Sequence, residues 1–562
     1  MKEKITFELF LTPDKSIQEQ SKQEILKKFG ARLEPLVDAE KQPDDYKLGN
    51  FFEITLKVEK DKIWEGVRKL IEIDGVLDVD PVVPAKFDKD LAYLESQGEK
   101  EEKKKQDKRQ RPDAGWFHNP IRFREAIEYA KTEHEAGRGC YAGGETMVKI
   151  GQLDTGYSDH PEVVKIKKNK GWNYVAPPFW IRLFKRSWRQ DPKDRLIKIP
   201  VIKWASHGTS SASVMIGIDT DRLKIAKGYM DRTNGVFPYV DLIPYRISDS
   251  IISFHNNMAR AAAQAIVDGC KIITASHAQL IKSRMLEQVA EEAYENGIIW
   301  VAAAGTHIAR VKKIWIFPAR FPEVLAIAAS TQEGEPWELT HGGVAVEICA
   351  PGYDIYRPMA RRSFFGLFGK PKYEYSWSEG STFSAPITAA AAALWLAHHG
   401  EKKLNQLYKE PWQRVEAFRK VLRESATPHR KDEYNKYYGT GILNVEQLLK
   451  TALPKAEQLK HVDEKPARPD ESKATARTIN YVTDKELTYW TCHAKVKTED
   501  QKDDELYNYV YEKSSNKARE VLKNVTGKIE EFADESKPGF QNNPNSEALK
   551  SYIKEFARVQ EK

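Results

Sequence analysis

Between Trp116 and about Leu453 the chain repeats one pattern, short β-branched or apolar runs separated by segments of helical length. The runs are Val148 to Leu153, Leu242 to Ile247, Ile272 to Thr274, Ile298 to Ala303 and Val324 to Ala329. They are mostly apolar, without the alternation of a half-exposed strand, so both of their faces are expected to be covered. Strands that alternate with helices run parallel, and the pattern predicts a doubly wound α/β domain with helices on both faces of one sheet. With 562 residues, 41% of them hydrophobic, the chain has material for about three to four domains, of which this is the largest.

Residues 1–96 read as a separate α+β unit. Ile5, Phe7 and Leu9 alternate as a strand, and Ser16 can cap a helix carrying Ile25, Leu26 and Phe29 that stops at Gly30. A strand over 31–39 and an alternating strand through Phe52, Ile54, Leu56 and Val58 follow. Asp61 then starts a helix with Ile63, Trp64, Val67, Leu70 and Ile71, and Leu77 to Val83 is a last strand, giving a ferredoxin-like βαββαβ order. Residues 97–115 open with QGEKEEKKKQDKRQRP, which has nothing to bury and reads as a charged linker. The large domain is expected over 116–453, a polar linker over 454–478, and a small, charged, mainly helical C-terminal domain over 479–562. The helical stripes of that last unit, Ala518 to Phe532 and Leu549 to Val559, suit local packing first and a protein partner second.

Three segments of the large domain carry chemistry. Val148-Lys-Ile-Gly-Gln-Leu-Asp154-Thr-Gly156 is a strand ending in a carboxylate and a glycine turn, where parallel sheets bind ligands. Ser206-His207-Gly208-Thr209 puts an imidazole at a helix start among small residues. Gly380-Ser381-Thr382-Phe383-Ser384-Ala385-Pro386 opens an almost wholly apolar helix, so a hydroxyl there sits beside free backbone N–H groups able to hold an oxyanion. Each motif alone is weak; the order Asp, His, hydroxyl within one parallel α/β domain is that of the subtilisin triad.

Residues 116 to about 450 resemble a subtilisin-like peptidase, a subtilase of the S8 class. The resemblance extends through Asp154-Thr-Gly-Tyr-Ser-Asp-His160-Pro161, the strand Val240-Asp-Leu-Ile-Pro-Tyr-Arg246, Phe317-Pro-Ala-Arg-Phe-Pro to Thr331, and Cys349-Ala-Pro-Gly352. It implies a serine-type endopeptidase acting on protein or peptide substrates, with Asp154, His207 and Thr382 as catalytic residues. The front unit is similar to the family's propeptide or inhibitor domain, whose sheet packs on the peptidase and whose C-terminal segment enters the cleft.

Three departures fall on the chemistry. Where the family has Gly-Thr-Ser this chain has Gly380-Ser381-Thr382, which puts threonine at the nucleophile position and leaves Ser381 as the alternative nucleophile. A β-methyl restricts χ1 and crowds the attack. Thr306 stands where the resemblance implies an asparagine that donates to the oxyanion; in subtilisin, losing that donor costs about 10² to 10³ in turnover. Ser276-His277-Ala278 stands where the family has Ser-x-Gly-Gly lining the substrate cleft. The expectation is a slow, latent or highly selective peptidase, with a catalytically inactive pseudo-peptidase that binds a partner as the alternative.

The charge balance, 89 basic against 82 acidic residues, is too even for a nucleic-acid coat protein. Within it the basic aromatic stretch Trp180 to Arg189 reads as a surface loop. Four cysteines without CxxC spacing, and His398-His399 without thiol or carboxylate partners, give no metal site, and no cofactor is expected. The N-terminus lacks the apolar core of a secretory leader and no run reaches membrane-spanning length, so a cytoplasmic protein is expected.

Overall fold

The computed structural model describes residues 2–36, 47–59, 63–81, 111–137, 147–175, 188–194, 206–218, 235–237, 239–249, 251–253, 257–279, 283–306, 316–343, 345–361 and 371–464. The expected C-terminal domain, most of the charged linker and most of the basic aromatic stretch lie outside them.

The front unit runs β1 (Lys2–Leu11), α1 (Lys15–Phe29), β2 (Glu34–Pro35), β3 (Phe51–Glu59), α2 (Ile63–Ile71) and β4 (Val76–Pro81), the βαββαβ order. Its antiparallel sheet has the order β2-β3-β1-β4, with Phe7 opposite Ile54 and Leu9 opposite Phe52. Asp14, not Ser16, caps α1: its carboxylate accepts the N–H groups of Ser16 at 2.9 Å and Ile17 at 3.1 Å, because the helix begins two residues earlier than the apolar spacing suggests. Gly30 ends it in the left-handed conformation at φ 66°, as expected. Ile25 is buried but Leu26 is exposed, and the expected strand over 31–39 is described only as the short β2.

The large domain begins with α3 (Phe123–Glu135) and continues through β5 (Val148–Asp154), β6 (Trp172–Asn173), α4 (His207–Ile216), β7 (Val240–Arg246), β8 (Ile252–Ser253), α5 (Asn257–Val267), β9 (Ile272–Ala275), β10 (Ala278–Gln279), α6 (Arg284–Glu295) and β11 (Ile299–Ala303). After β12 (Leu325–Ser330) and β13 (Val346–Pro351) comes an antiparallel hairpin of β14 (Ile355–Arg361) and β15 (Lys372–Ser378). Then follow α7 (Ser381–His399), α8 (Glu401–Leu407), α9 (Pro411–Glu424), α10 (Asn435–Tyr438) and α11 (Val445–Lys450). The seven-stranded sheet has the order β13-β12-β11-β9-β5-β7-β6, with every neighbouring pair parallel. This is a subtilisin-like α/β fold. The five predicted runs became β5, β7, β9, β11 and β12, whose side chains are almost all buried.

Helices cover both faces and make two cores. On one face α7, apolar all round and almost entirely buried, packs with α4 on the sheet, joining Val214 and Met215 to Ala389, Leu394 and Trp395. On the other, α5 and α6 bury Met258, Ala262, Met285 and Leu286. Leu36, Leu48 and Phe51 of the front unit share that second core. Ion pairs of Arg260 with Glu53 at 3.1 Å and Arg284 with Asp78 at 3.4 Å fasten it, and the Arg284 guanidinium lies 4.6 Å from the Phe10 ring centroid. The front unit is thus seated on the same two helices that support the cleft segment.

Both expected linkers begin or end in packed chain. Arg111 pairs with Asp354 and the Trp116 indole donates to the Asp354 carbonyl at 2.7 Å, so residues 111–115 belong with the large domain. Residues 454–464 also fold back, where His461 pairs with Glu295 at 2.8 Å and packs edge-on to Trp412 and Tyr294. Composition alone does not reveal this, since a polar segment can dock through a few aromatic and charged anchors.

Candidate active site

β5 delivers Asp154 to the carboxyl end of the sheet, where it is buried at 2% exposure. His207 is the first residue of α4, and its Nδ1–H donates to Asp154 Oδ1 at 2.7 Å. The same oxygen accepts the Thr155 N–H at 2.6 Å. Burial alone would push the Asp154 carboxyl up, but His207, through charge and hydrogen bond, the Thr155 N–H and the charge of His277 outweigh it and hold the group below the ordinary carboxylate value. Asp154 is therefore ionised and orients the imidazole. A Cβ on Gly208 would overlap the Gly156 carbonyl oxygen, so only glycine lets the start of α4 close down on the Asp154 turn.

Thr382 is the second residue of α7. Gly380 precedes the helix at φ 140°, its N–H donating to the Gly352 carbonyl at 2.7 Å. A Cβ there would lie 3.4 Å from Thr382 Oγ1 and 3.6 Å from Thr306 Oγ1, so both hydroxyls border the space that the glycine leaves open. Ser381, the other hydroxyl of the motif, is 1% exposed and its oxygen accepts the Gly305 N–H at 3.0 Å, which ties α7 to the end of β11. Thr306 bridges Thr340, and Gly305 accepts the His341 N–H at 2.9 Å.

The cleft segment is buried and bonded to three neighbouring segments. Ser276 donates to the Thr382 carbonyl at 2.7 Å. The Ala278 N–H donates to the Ile251 carbonyl at 2.8 Å, as β10 pairs in parallel with β8, and Gln279 exchanges both its backbone bonds with Phe317 at 2.9 Å each. His277 is 2% exposed and close enough to Asp154 for its charge to be felt there.

Sequence spacing does not single out two contributors. Asp194 accepts the Ser206 N–H at 2.6 Å, immediately before His207, and its twelve-residue distance from Ser206 forms no recognisable motif. The β14–β15 hairpin braces the same helix: Ser206 Oγ donates to the Ala360 carbonyl and accepts its N–H, each at 2.7 Å, and Ser210 donates to the Pro358 carbonyl at 2.9 Å. Burial takes His160 down to about 4 and His399 down to about 3, so both stay neutral. Cys270 and Cys349 are buried free thiols, and Cys140 and Cys492 lie outside the described residues. No group of three or more His, Cys, Asp or Glu placed to hold a metal ion occurs among the described residues, and none of their helices is long and apolar enough to cross a membrane.

The chain is 27% identical to subtilisin DY of Bacillus licheniformis over 242 residues, 43% of this chain and 76% of that protein. It is 24% identical to thermitase of Thermoactinomyces vulgaris, over 46% of this chain and 77% of the relative. A crystal structure of MycP1 with its N-terminal propeptide removed superposes with a TM-score of 0.43 at 20% identity, covering 61% of this chain and 99% of that one. The model of the Subtilase family matches residues 145–441, more than half of the chain and the whole stretch from Asp154 to Thr382, and the protein belongs to that family.

Proposed function

We propose that the chain is a subtilisin-type endopeptidase that uses Thr382 as its nucleophile and is latent in the form described. The observation that carries the reading is the 2.7 Å hydrogen bond from His207 to a buried, ionised Asp154, in a chain whose Thr382 and Thr306 hydroxyls both border the space beside Gly380. His207 takes the Thr382 hydroxyl proton as the oxygen attacks a peptide carbonyl, and returns it to the leaving amine. Asp154 stabilises the imidazolium, and the N–H of Thr382 with the hydroxyl of Thr306 holds the oxyanion. The bond of Ser381 to Gly305 favours Thr382 over Ser381 for the attacking role.

Latency is supported by the cleft. A subtilase substrate pairs as an extended strand with the segment 276–279, and here the Ala278 N–H is already given to Ile251. The front unit, seated on α5 and α6, acts as a propeptide-like clamp on that segment's flanks. The same closed edge is what favours the second reading, a pseudo-peptidase whose α/β body serves as a binding subunit.

The deciding experiment follows intact mass and casein cleavage for the full chain, its His207→Ala variant and its Thr382→Ser, Thr306→Asn double variant. Cleavage that falls about 10²-fold or more in His207→Ala and rises in the double variant establishes the peptidase. An inert chain in all three forms removes the support for the peptidase and turns the search to a binding partner.

A further inference from the structure

We infer that Asp194 is a positioning residue for His207, an inference that rests on the peptidase reading. One carboxylate oxygen, Oδ2, accepts from both halves of the catalytic pair's surroundings. It takes the N–H of Ser206, the residue before His207, at 2.6 Å, and the hydroxyl of Thr155, the residue after Asp154, at a longer 3.4 Å. Thr155 Oγ1 in turn accepts the N–H of Gly208, the residue after His207, at 3.1 Å. His207 is thus gripped on both sides along the chain by bonds that converge on a single side chain.

The grip has a load to hold. Ser206 lies in the left-handed region at φ 69°, a conformation that strains a non-glycine residue and persists only where its surroundings over-determine it. Asp194 and the two bonds to Ala360 are those surroundings. A negative charge at the first N–H groups of a ten-residue helix is favourable in itself. The carboxylate is rigidly presented, because the Asp194 N–H donates to the Tyr157 carbonyl at 2.8 Å and the Tyr157 N–H to the Pro192 carbonyl at 3.2 Å. That close approach needs Gly156, whose Cβ would overlap the Pro192 oxygen. Residues 192–194 are therefore clamped onto the turn that carries Asp154, and Asp194 reaches Ser206 from there.

The test uses the full chain labelled with ¹⁵N-histidine. The low-field Nδ1–H resonance of His207 bound to Asp154 is identified by its loss in His207→Ala, and needs no turnover to be seen. Asp194→Asn keeps an oxygen that can accept both bonds, so it should retain the resonance and the wild-type cleavage rate. Asp194→Ala should broaden or lose the resonance and lower kcat about 10- to 100-fold with KM little changed, the cost of a misplaced base. If Asp194→Ala does not fold, Thr155→Val, which removes one arm of the grip at constant shape, should act in the same direction. A sharp, unshifted resonance in Asp194→Ala or Thr155→Val overturns the inference, as does equal loss in the alanine and asparagine variants. If no form of the chain cleaves casein, the peptidase reading fails while the resonance still decides the positioning role.

Discussion

The carbonyl oxygen of Thr382 accepts the hydroxyl of Ser276 at 2.7 Å, and Pro386, four residues further along α7, has no N–H to give it. The missing helical bond at the start of the nucleophile helix is thus filled from the cleft segment, which couples the two. Ser276→Ala would leave a buried carbonyl without that partner, a loss worth about 1–3 kcal/mol. Denaturant unfolding should show a lowered midpoint at constant slope, and Ser276→Thr should recover most of it.

The Ser381 hydroxyl makes a different bond, to the Gly305 N–H, and that separates the two hydroxyls of the motif. Ser381→Ala should cost about 1–3 kcal/mol by stranding a buried N–H, yet leave His207-dependent cleavage in place. Thr382→Ala should leave stability within about 1 kcal/mol and abolish cleavage. Thermal melts and casein assays on both variants decide it; cleavage that survives in Thr382→Ala would return Ser381 to the nucleophile's role.

Much of this architecture is legible in the residues. β5, β7, β9, β11 and β12 announce themselves because a strand covered on both faces must be apolar throughout, and the Asp154, His207 and Gly380 motifs stand out because glycines are required where helix starts and turns meet. What escapes is long-range. β15 carries the period-two set Tyr373, Tyr375 and Trp377, but nothing local says that its partner strand β14 braces the helix of His207. Asp14 outcompetes Ser16 as a cap because both residue types can serve and the difference is two residues of register. Asp194 is invisible for a long-range reason too: its role is set by where the loop that carries it lands.

Glu323 gives the stability a pH dependence. Burial, reinforced by Glu291 and Glu287 and opposed by its own backbone N–H and Arg419, lifts its carboxyl from 4.5 to about 7. The folded chain therefore keeps a proton that the unfolded chain releases above 4.5, and the contribution of the group is intact below pH 4.5 and lost as pH rises to about 7. Glu323→Gln should match the wild type near pH 4 and exceed it by about 1–3 kcal/mol at pH 8, after allowance for partial solvent screening. Urea midpoints at the two pH values measure this directly, and an advantage at pH 4 alone would reverse the sign.

The pairing of β8 with β10 makes the most specific demand on solution behaviour. With the Ala278 N–H given to Ile251, and Gln279 giving and accepting bonds with Phe317, the C-terminal half of the segment 276–279 is already bonded where an incoming strand would pair. Productive binding then requires β8 to part from β10, exchanging one set of ladder bonds for another at small net free energy, so the barrier is steric and kinetic more than thermodynamic. Hydrogen exchange should find the Ala278 amide protected in the free chain to a degree approaching the amides of β9. A paired Ile252→Cys, Ala278→Cys variant should lock the edge when oxidised, since parallel neighbours lie within the Cα separation a disulfide tolerates. Cleavage by the reduced form with none by the oxidised form, restored by reductant, would show that the closed edge is the latch; equal cleavage by both would mean that substrate enters by another route.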